Sequence, residues 1–153
     1  MNKLVLTNAR IIFESAYDFS EHIASITLAT VHEILDVTPV ETGTIYKKVI
    51  AGVGTNTVTF EIHQDFSSGS NSNSIEEFFN GVPPYSAMPI RVGTLVACKV
   101  VSDADAPVGA TNPEYSFDAL VTEWTPLNAS VGQLSTISVN WPISGAIVKS
   151  ITP

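Results

Sequence analysis

Apolar and polar residues alternate along much of the chain, and this pattern predicts β-strands. The clearest example is TVTFEIHQDF, residues 57–66, where apolar side chains occupy every second position from Val58 to Ile62. Residues 136–144 alternate in the same way, with Trp141 among the apolar positions. A period of two is typical of a strand that buries one face and wets the other, usually in an antiparallel sheet.

Further β-rich segments lie in residues 2–14, 22–34, 90–101 and 114–124. Only one helix is predicted: it begins near Ser74, where Glu77 completes a capping box, and it ends at Asn80-Gly81. The chain of 153 residues has no linker long enough to divide it. We therefore expect a single mainly-β domain over residues 1–153.

The predicted strand at residues 114–124 carries apolar side chains on both of its faces. Phe117 and Ala119 fall on one side, while Leu120 and Trp124 fall on the other. Two-sided apolar strands occur where each face of a sheet is covered. We therefore expect a two-sheet β-sandwich or barrel with one short flanking helix, in which a neighbouring subunit supplies the cover that a single helix cannot.

Composition and charge narrow the class of protein. Hydrophobic residues make up 44% and charged residues only 14%, against about 25% charged in an ordinary domain, so much of the surface is expected to be neutral and polar. The 15 acidic and 7 basic residues give a net charge of −8, which disfavours a nucleic-acid-binding or membrane-surface module. No segment has the form of a signal peptide or approaches the ~20 apolar residues of a membrane span. We expect a protein made inside a cell, without a membrane partner.

Residues that carry chemistry are scattered along the sequence. His22, His32 and His63 lack the spacing of a metal site, and Cys98 lies in an apolar strand, where a thiol is expected to be buried and inert. The SDADAP segment, residues 102–107, lacks the further carboxylates of a calcium loop. We therefore predict no catalytic residue, no cofactor and no metal site.

A long connection lies between the third and fourth predicted strands. Residues 35–54 are broken by Pro39 and by glycines, and the threonines and Tyr46 suit an extended arm. From Asp36 to Lys48 the segment carries acidic residues first and a basic pair last. Long ordered loops in compact domains are usually functional, and opposite charges can fix the register of a contact with a partner.

The second half of the chain contains four motifs in a fixed order: an Asn-Pro-Glu-Tyr entry, a strand ending near a proline turn, an Asn-x-Ser-Val-Gly hairpin and a closing Ser/Thr-rich strand with a terminal glycine. They fall on Asn112–Tyr115, Phe117–Pro126, Asn128–Gly132 and Leu134–Gly145. In these motifs the chain resembles the C-terminal signature of the major tail tube proteins of long-tailed, non-contractile bacteriophages. Residues 22–66 are similar to the same family in their strand, long acidic-to-basic loop, Ala-Gly and Gln-Asp-Phe ending, and the helix that follows also fits. The loop departs from the family at residues 38–40, Thr-Pro-Val, where acidic and small residues are usual.

The resemblance implies a structural protein rather than an enzyme. Members of the family fold as a β-sandwich or barrel with a flanking helix, form rings that are usually hexameric, and stack these rings into a tube that conducts the genome. Ring closure merges strands of neighbouring subunits into one inner barrel, which would supply the missing cover. The implied partners are further copies of the chain, a tape measure protein, a tail terminator and tail-tip proteins, with transient, non-specific passage of DNA. The expected location is the tail of the virion, assembled in the host cytoplasm.

Two groups of residues follow as candidate sites. The acidic-to-basic loop is expected to reach the next ring, and its ring-stacking residues are Asp36, Glu41, Gly43, Tyr46, Lys47 and Lys48. A channel lined with acidic or neutral groups leaves DNA unattached, whereas Lys and Arg would hold it through phosphate contacts. The candidates for lumen-facing groups are Glu61, Asp65, Asp118 and Glu123.

Other interpretations remain open. A carbohydrate-binding β-sandwich module would share the acidic, Ser/Thr/Asn-rich composition, with Trp124, Trp141 and Tyr85 as stacking residues, although the alternation places Trp141 in the core. A minor tail protein, a tail terminator or a contractile-tail tube protein is a closer competitor.

Overall fold

The computed structural model of the chain describes residues 8–39, 46–64, 78–79, 92–125 and 127–152. These residues form seven strands: β1 (Arg10–Phe13), β2 (Tyr17–Asp18), β3 (Ile23–Asp36), β4 (Val49–His63), β5 (Leu95–Val101), β6 (Glu114–Leu120) and β7 (Thr136–Ser150). All pair antiparallel in one sheet, in the order β2-β1-β5-β6-β7-β4-β3.

The prediction of a mainly-β chain is confirmed. The described residues contain one sheet, with neither a second sheet nor a closed barrel, and helix is limited there to Phe78 and Phe79. The rest of the predicted helix, including its capping residues Ser74 and Glu77, lies outside the described residues.

The alternation of β4 and β7 sorts their side chains onto two faces as predicted. Val58, Phe60 and Ile62 of β4 are buried, and so is every second residue of β7 from Ile137 to Ile143. The intervening Thr, Ser, Asn and Glu side chains occupy the opposite face, which we call the outer face. One face of the sheet is therefore apolar and enclosed, and the other is polar and wet.

β7 belongs to both halves of the sheet. Its first part, up to Ile143, pairs with β4, and its second part, from Ile143 to Ser150, pairs with β6. Residues 145–147 lie opposite Phe117 alone, and Gly145 has a φ of 87°, a conformation that favours glycine. A strand that changes partner at such an irregularity makes a corner in a sheet.

The sheet curls at this corner until its two halves face each other. Phe13 on β1 and Phe60 on β4 have ring centroids 5.6 Å apart, although four strand-to-strand steps separate them in the sheet. In a flat sheet these steps would span about 19 Å at ~4.8 Å each. Trp141 of β7 lies 6.1 Å from the same Phe13 ring, so the aromatic side chains of both halves share one core.

The second face of β6 differs from the prediction. Trp124 does not point outward, because β6 ends at Leu120 and the alternation stops there. Its ring stacks on Phe79 at 3.7 Å, against the core. On the outer face, the apolar side chain of β6 is Leu120, which pairs with Leu95 of β5. Leu95 is 54% exposed.

The curl predicts energetic coupling between residues that are distant in the sheet. We expect Phe13→Leu and Phe60→Leu to be non-additive by about 0.5–1.5 kcal/mol in free energy of unfolding, the range of an aromatic pair. A double-mutant cycle by urea denaturation measures this term. Phe13→Leu combined with Val148→Ala, which changes an exposed outer-face side chain, is the control and should be additive. Full additivity of the two Phe variants would contradict the curled arrangement.

Candidate functional site

A two-stranded ribbon extends from one end of the sheet. β4 pairs with β3 along nearly its whole length, but with β7 only from Asn56 to His63. Residues 49–55 of β4 therefore have β3 as their one strand neighbour among the described residues. We call residues 31–39 and 46–55 the arm.

Asn56 fixes the base of the arm. Its side-chain oxygen accepts a hydrogen bond of 2.8 Å from Thr30 Oγ1 on β3, and its Nδ2 donates one of 2.7 Å to the carbonyl of Gly145 on β7. One side chain thus joins three strands where β7 turns away from β4. The arm leaves the body of the protein from a defined position.

A β-bulge lies within the arm. Between His32 and Ile34 the register shifts, so that Gly52 and Val53 face Glu33 alone. The His32 ring lies over the next residue, Gly54, where an added Cβ would come within 2.8 Å of a ring carbon. A larger residue at position 54 would displace the exposed His32 ring, so glycine permits this close approach. Bulges increase the local twist of a strand pair, so the end of the arm is turned relative to the body.

The tip of the arm is held by a small polar network. Asp36 Oδ1 accepts hydrogen bonds from Thr38 Oγ1 at 2.6 Å and from the Thr38 amide at 2.9 Å, and Lys47 Nζ lies 3.0 Å from Asp36 Oδ2. The Thr38 hydroxyl, its amide and the Lys47 ammonium together hold the pKa of the Asp36 carboxyl below its usual value. The Lys48 amide in turn donates to Thr38 Oγ1 at 2.8 Å, which ties the two strands together.

Four of the six predicted ring-stacking residues meet at this tip. Asp36, Lys47 and Lys48 take part in the network around Thr38, and the neighbouring Tyr46 is 82% exposed. The other two, Glu41 and Gly43, lie outside the described residues. Their common role in contacting another ring stays a prediction.

The most prominent feature of the arm is its exposed apolar surface, which the sequence pattern did not predict. Ile34 is 76% exposed and Val53 75%. The apolar residues of the arm that are roughly half or more exposed are Val31, Ile34, Leu35, Val37, Tyr46, Val49, Ile50 and Val53. They lie on both faces of the ribbon, because successive side chains of a strand point to opposite faces. Ile34 and Leu35, for example, are consecutive residues of β3. Monomeric proteins rarely expose apolar patches larger than a few hundred Å², so the arm has the character of an interaction surface.

The predicted lumen-facing carboxylates fall on or beside the outer face. Glu61 on β4 and Asp118 on β6 are exposed there, between buried neighbours. Glu123 lies at the margin beside β7, with Oε1 3.5 Å from the Asn140 amide. Asp65 lies outside the described residues. In the described part of β4, β6 and β7 below the arm, this face carries Ser, Thr, Asn and acidic groups together with the apolar Leu120 and Val148, and no Lys or Arg.

On the neighbouring strand β5, a cation shares this face, because Lys99 pairs with Ser116 of β6. Lys99 of β5 forms a salt bridge of 3.3 Å with Glu114 of β6. The positive charge is therefore balanced at its own position. The face keeps a neutral to negative character from β4 across to β6.

The titratable side chains of the described part of the chain are dispersed. No group of three or more His, Cys, Asp or Glu side chains there is placed to hold a metal ion. Cys98 is buried, as predicted, and burial raises the pKa of its thiol. The segment at residues 102–107 is ordered by the side chain of Asn112, which donates to the carbonyls of Asp103 and Ala106.

Two of the three aromatic residues of the carbohydrate-binding alternative are described, and both pack against the core. Trp141 is completely buried, and its indole N–H donates to the Glu123 carbonyl at 3.1 Å. Trp124 is stacked on Phe79. Tyr85 lies outside the described residues. Trp141 is therefore unavailable for stacking on a sugar, and one face of Trp124 is already covered.

Among the described residues, none of the helical structure is long and apolar enough to cross a bilayer. Neither a scan against models of known protein families nor a search of curated proteins returns a match for this chain.

The tip network predicts a specific response to substitution at Thr38. Thr38→Val should raise the pKa of Asp36 toward its ordinary value, because the Thr38 hydroxyl is the largest cause of the depression. The carboxyl-carbon chemical shift of Asp36, followed by NMR across acidic pH, measures this value. Lys47→Met is the comparison variant and should raise the pKa less. An Asp36 pKa that Thr38→Val leaves unchanged would contradict the network.

The same network predicts the direction of its pH dependence. Because the folded-state pKa of Asp36 is depressed, the tip contacts are fully present above the ordinary aspartate pKa and are lost as the pH falls through the lower, folded-state value.

Proposed function

We propose that the protein is the subunit of a phage tail tube, in which copies of the chain form rings and the rings stack around a channel for the genome. The observation that carries the proposal is the arm: a long hairpin, fixed at its base and apolar on both faces, extends from a compact body. Such a surface is stable when another protein covers it. With the family resemblance of the sequence, that protein is another copy of the chain.

The edge of the sheet supports ring formation. β3 is the last strand in the sheet order, and its 14 residues have a strand neighbour on one side only within the described part of the chain. The strand contains no Pro and no Lys, the residues that commonly protect a sheet edge. In the proposed ring, β3 pairs with the sheet of the adjacent subunit. Each curled sheet thereby becomes one segment of a continuous inner barrel. In this proposal the predicted barrel forms between subunits and not within a single chain.

The outer face of β4, β6 and β7 supports a role as channel lining. Its exposed groups are mainly hydroxyls, amides and the carboxylates of Glu61 and Asp118, with Val148 as an exposed apolar side chain. Phosphate groups find no cation on such a surface, so DNA passes without being held. Asp65 and Glu123 complete the proposed lining.

The wider assembly follows from the same proposal. The tube subunit would contact a tape measure protein inside the channel and a tail terminator and tail-tip proteins at its two ends. It would be assembled in the host cytoplasm and remain in the tail of the virion. The proposed role is structural and needs neither a catalytic residue nor a cofactor.

Imaging of the assembled protein tests the proposal. We expect concentrated protein to form rings, or tubes of uniform width with a central channel, in negative-stain electron microscopy. Ile34→Ser with Val53→Ser should prevent stacking while leaving the fold intact, because both side chains lie in the exposed part of the arm. Deletion of residues 38–46 should have the same effect.

Leu95→Ser with Val148→Ser is the control, because it removes two exposed apolar side chains from the body instead. Circular dichroism checks that each variant is folded. Tubes of normal length from the arm variants would show that the arm does not connect rings. A protein that stays monomeric at all concentrations and beside preformed tail tips is not a tube subunit.

Charge reversal of the proposed lining tests the channel. Glu61→Lys with Asp118→Lys should leave tube formation intact but impair genome delivery, because the added ammonium groups bind phosphates. The neutral pair Glu61→Gln with Asp118→Asn is the matched control and should deliver DNA normally. Infectivity and DNA release from particles carrying each variant measure the effect. Normal delivery with the Lys variants would exclude this face as the lining.

A further inference from the structure

A second exposed apolar surface lies in the turn before β7. Its residues 127–134, LNASVGQL, form what we call the braced loop. Val131 is fully exposed, and Leu127 and Leu134 are about 70% exposed. The three side chains lie within eight residues that carry no charge. Depletion of charged residues is typical of the centre of protein–protein interfaces.

The braced loop is held in place by Gln64, the residue after β4. Gln64 Nε2 donates to the Thr125 carbonyl at 2.9 Å, and Gln64 Oε1 accepts from the Asn128 amide at 3.2 Å and from the Ser135 hydroxyl. Asn128 Nδ2 also donates to the Thr136 carbonyl at 3.1 Å. The loop therefore presents its apolar side chains from a fixed backbone, which lowers the entropy that a partner must offset on binding.

The arm and the braced loop lie at opposite ends of the same strand. The arm includes the first residues of β4, from Val49, whereas Gln64 follows its last residue, His63. A strand of this length spans on the order of 45 Å at ~3.3 Å per residue. The two exposed apolar surfaces thus lie far apart, and neither can cover the other within one molecule.

The area of the arm fits an interface between subunits. At roughly 100 Å² for a fully exposed apolar side chain of this size, the exposed fractions of the arm's apolar residues correspond to about 500 Å² of apolar surface. One partner contributes about 800 Å² to an interface of standard size. The three side chains of the braced loop add about half as much on the opposite side, and the uncharged Asn, Ser and Gln of the loop supply a polar rim.

We propose that the arm of one copy docks on the braced loop of a copy in the next ring. The inference rests on the tube function proposed above, and it names the surface that receives the arm. Such a contact is heterologous, because two different patches of the chain meet in it. A heterologous contact that does not close into a ring can be repeated without limit along an axis. Repetition along the tube axis would then cover the braced loop, and the part of the arm that it contacts, in every subunit except those at the two ends.

Site-specific cross-linking between different molecules tests the contact. The one native cysteine, Cys98, is buried, so cysteines introduced on the surface react selectively. Ile34→Cys protein and Val131→Cys protein are mixed, allowed to assemble and treated with a short bismaleimide linker. We expect a covalent dimer that contains one chain of each kind, identified by mass spectrometry of the joined peptides. Ile34→Cys mixed with Ala110→Cys, an exposed position in the loop before β6, should give no dimer above background.

Substitution of the loop provides a second measurement. Val131→Asp with Leu134→Ser should stop ring stacking but leave the fold and single rings unchanged, because both side chains are exposed. Tubes that form normally from this variant, or tubes of the cysteine proteins without the mixed dimer, would overturn the docking contact while the tube function stands. Failure of the unaltered protein to form rings or tubes would overturn both.

Discussion

One strand, β7, holds the two halves of the sheet together, and its change of partner at Ile143 determines the shape of the molecule. Before this residue β7 continues the sheet of β3 and β4, and after it β7 continues the sheet of β6, β5, β1 and β2. Gly145 supplies the backbone conformation of the corner. Because the sheet curls there, Phe13 meets Phe60 and Trp141, and the core needs no second sheet to enclose it.

The same corner creates the arm. Where β7 turns away, β3 and β4 lose their neighbour and continue as a pair, with Asn56 joined to Gly145 at the point of departure. The apolar side chains beyond this point have no part of the described body to pack on. The change of partner that closes the core at the centre of the sheet therefore leaves the arm exposed. In the proposed tube, this arm is the part of each subunit that another copy covers.

The sequence predicted the parts of the fold that depend on local alternation. The buried faces of β4 and β7 and the burial of Trp141 follow from a period of two, and the burial of Cys98 followed from its place in an apolar run. The curl was not predictable, because it depends on which strands β7 pairs with, and Gly145 looked like the end of a strand that in fact continues to Ser150. Trp124 was assigned to the wrong side because the alternation was extended past Leu120. The arm was identified as a long connection, but Gly52 and Gly54 resembled strand breakers, whereas they accommodate a bulge and the ring of His32 within β4.

Hydrogen exchange of the backbone amides of the arm tests most directly whether the arm is a contact between copies of the chain. In the separate subunit the arm is a ribbon with one strand pair and no described core beneath it, so its amides should exchange early, well before those of β5 and β7 in the body. In assembled material the amides of residues 31–36 and 49–55 should become strongly protected, while those of the solvent-exposed loop at residues 102–113 stay unchanged. Equal exchange of the arm in separate and assembled protein would contradict the account.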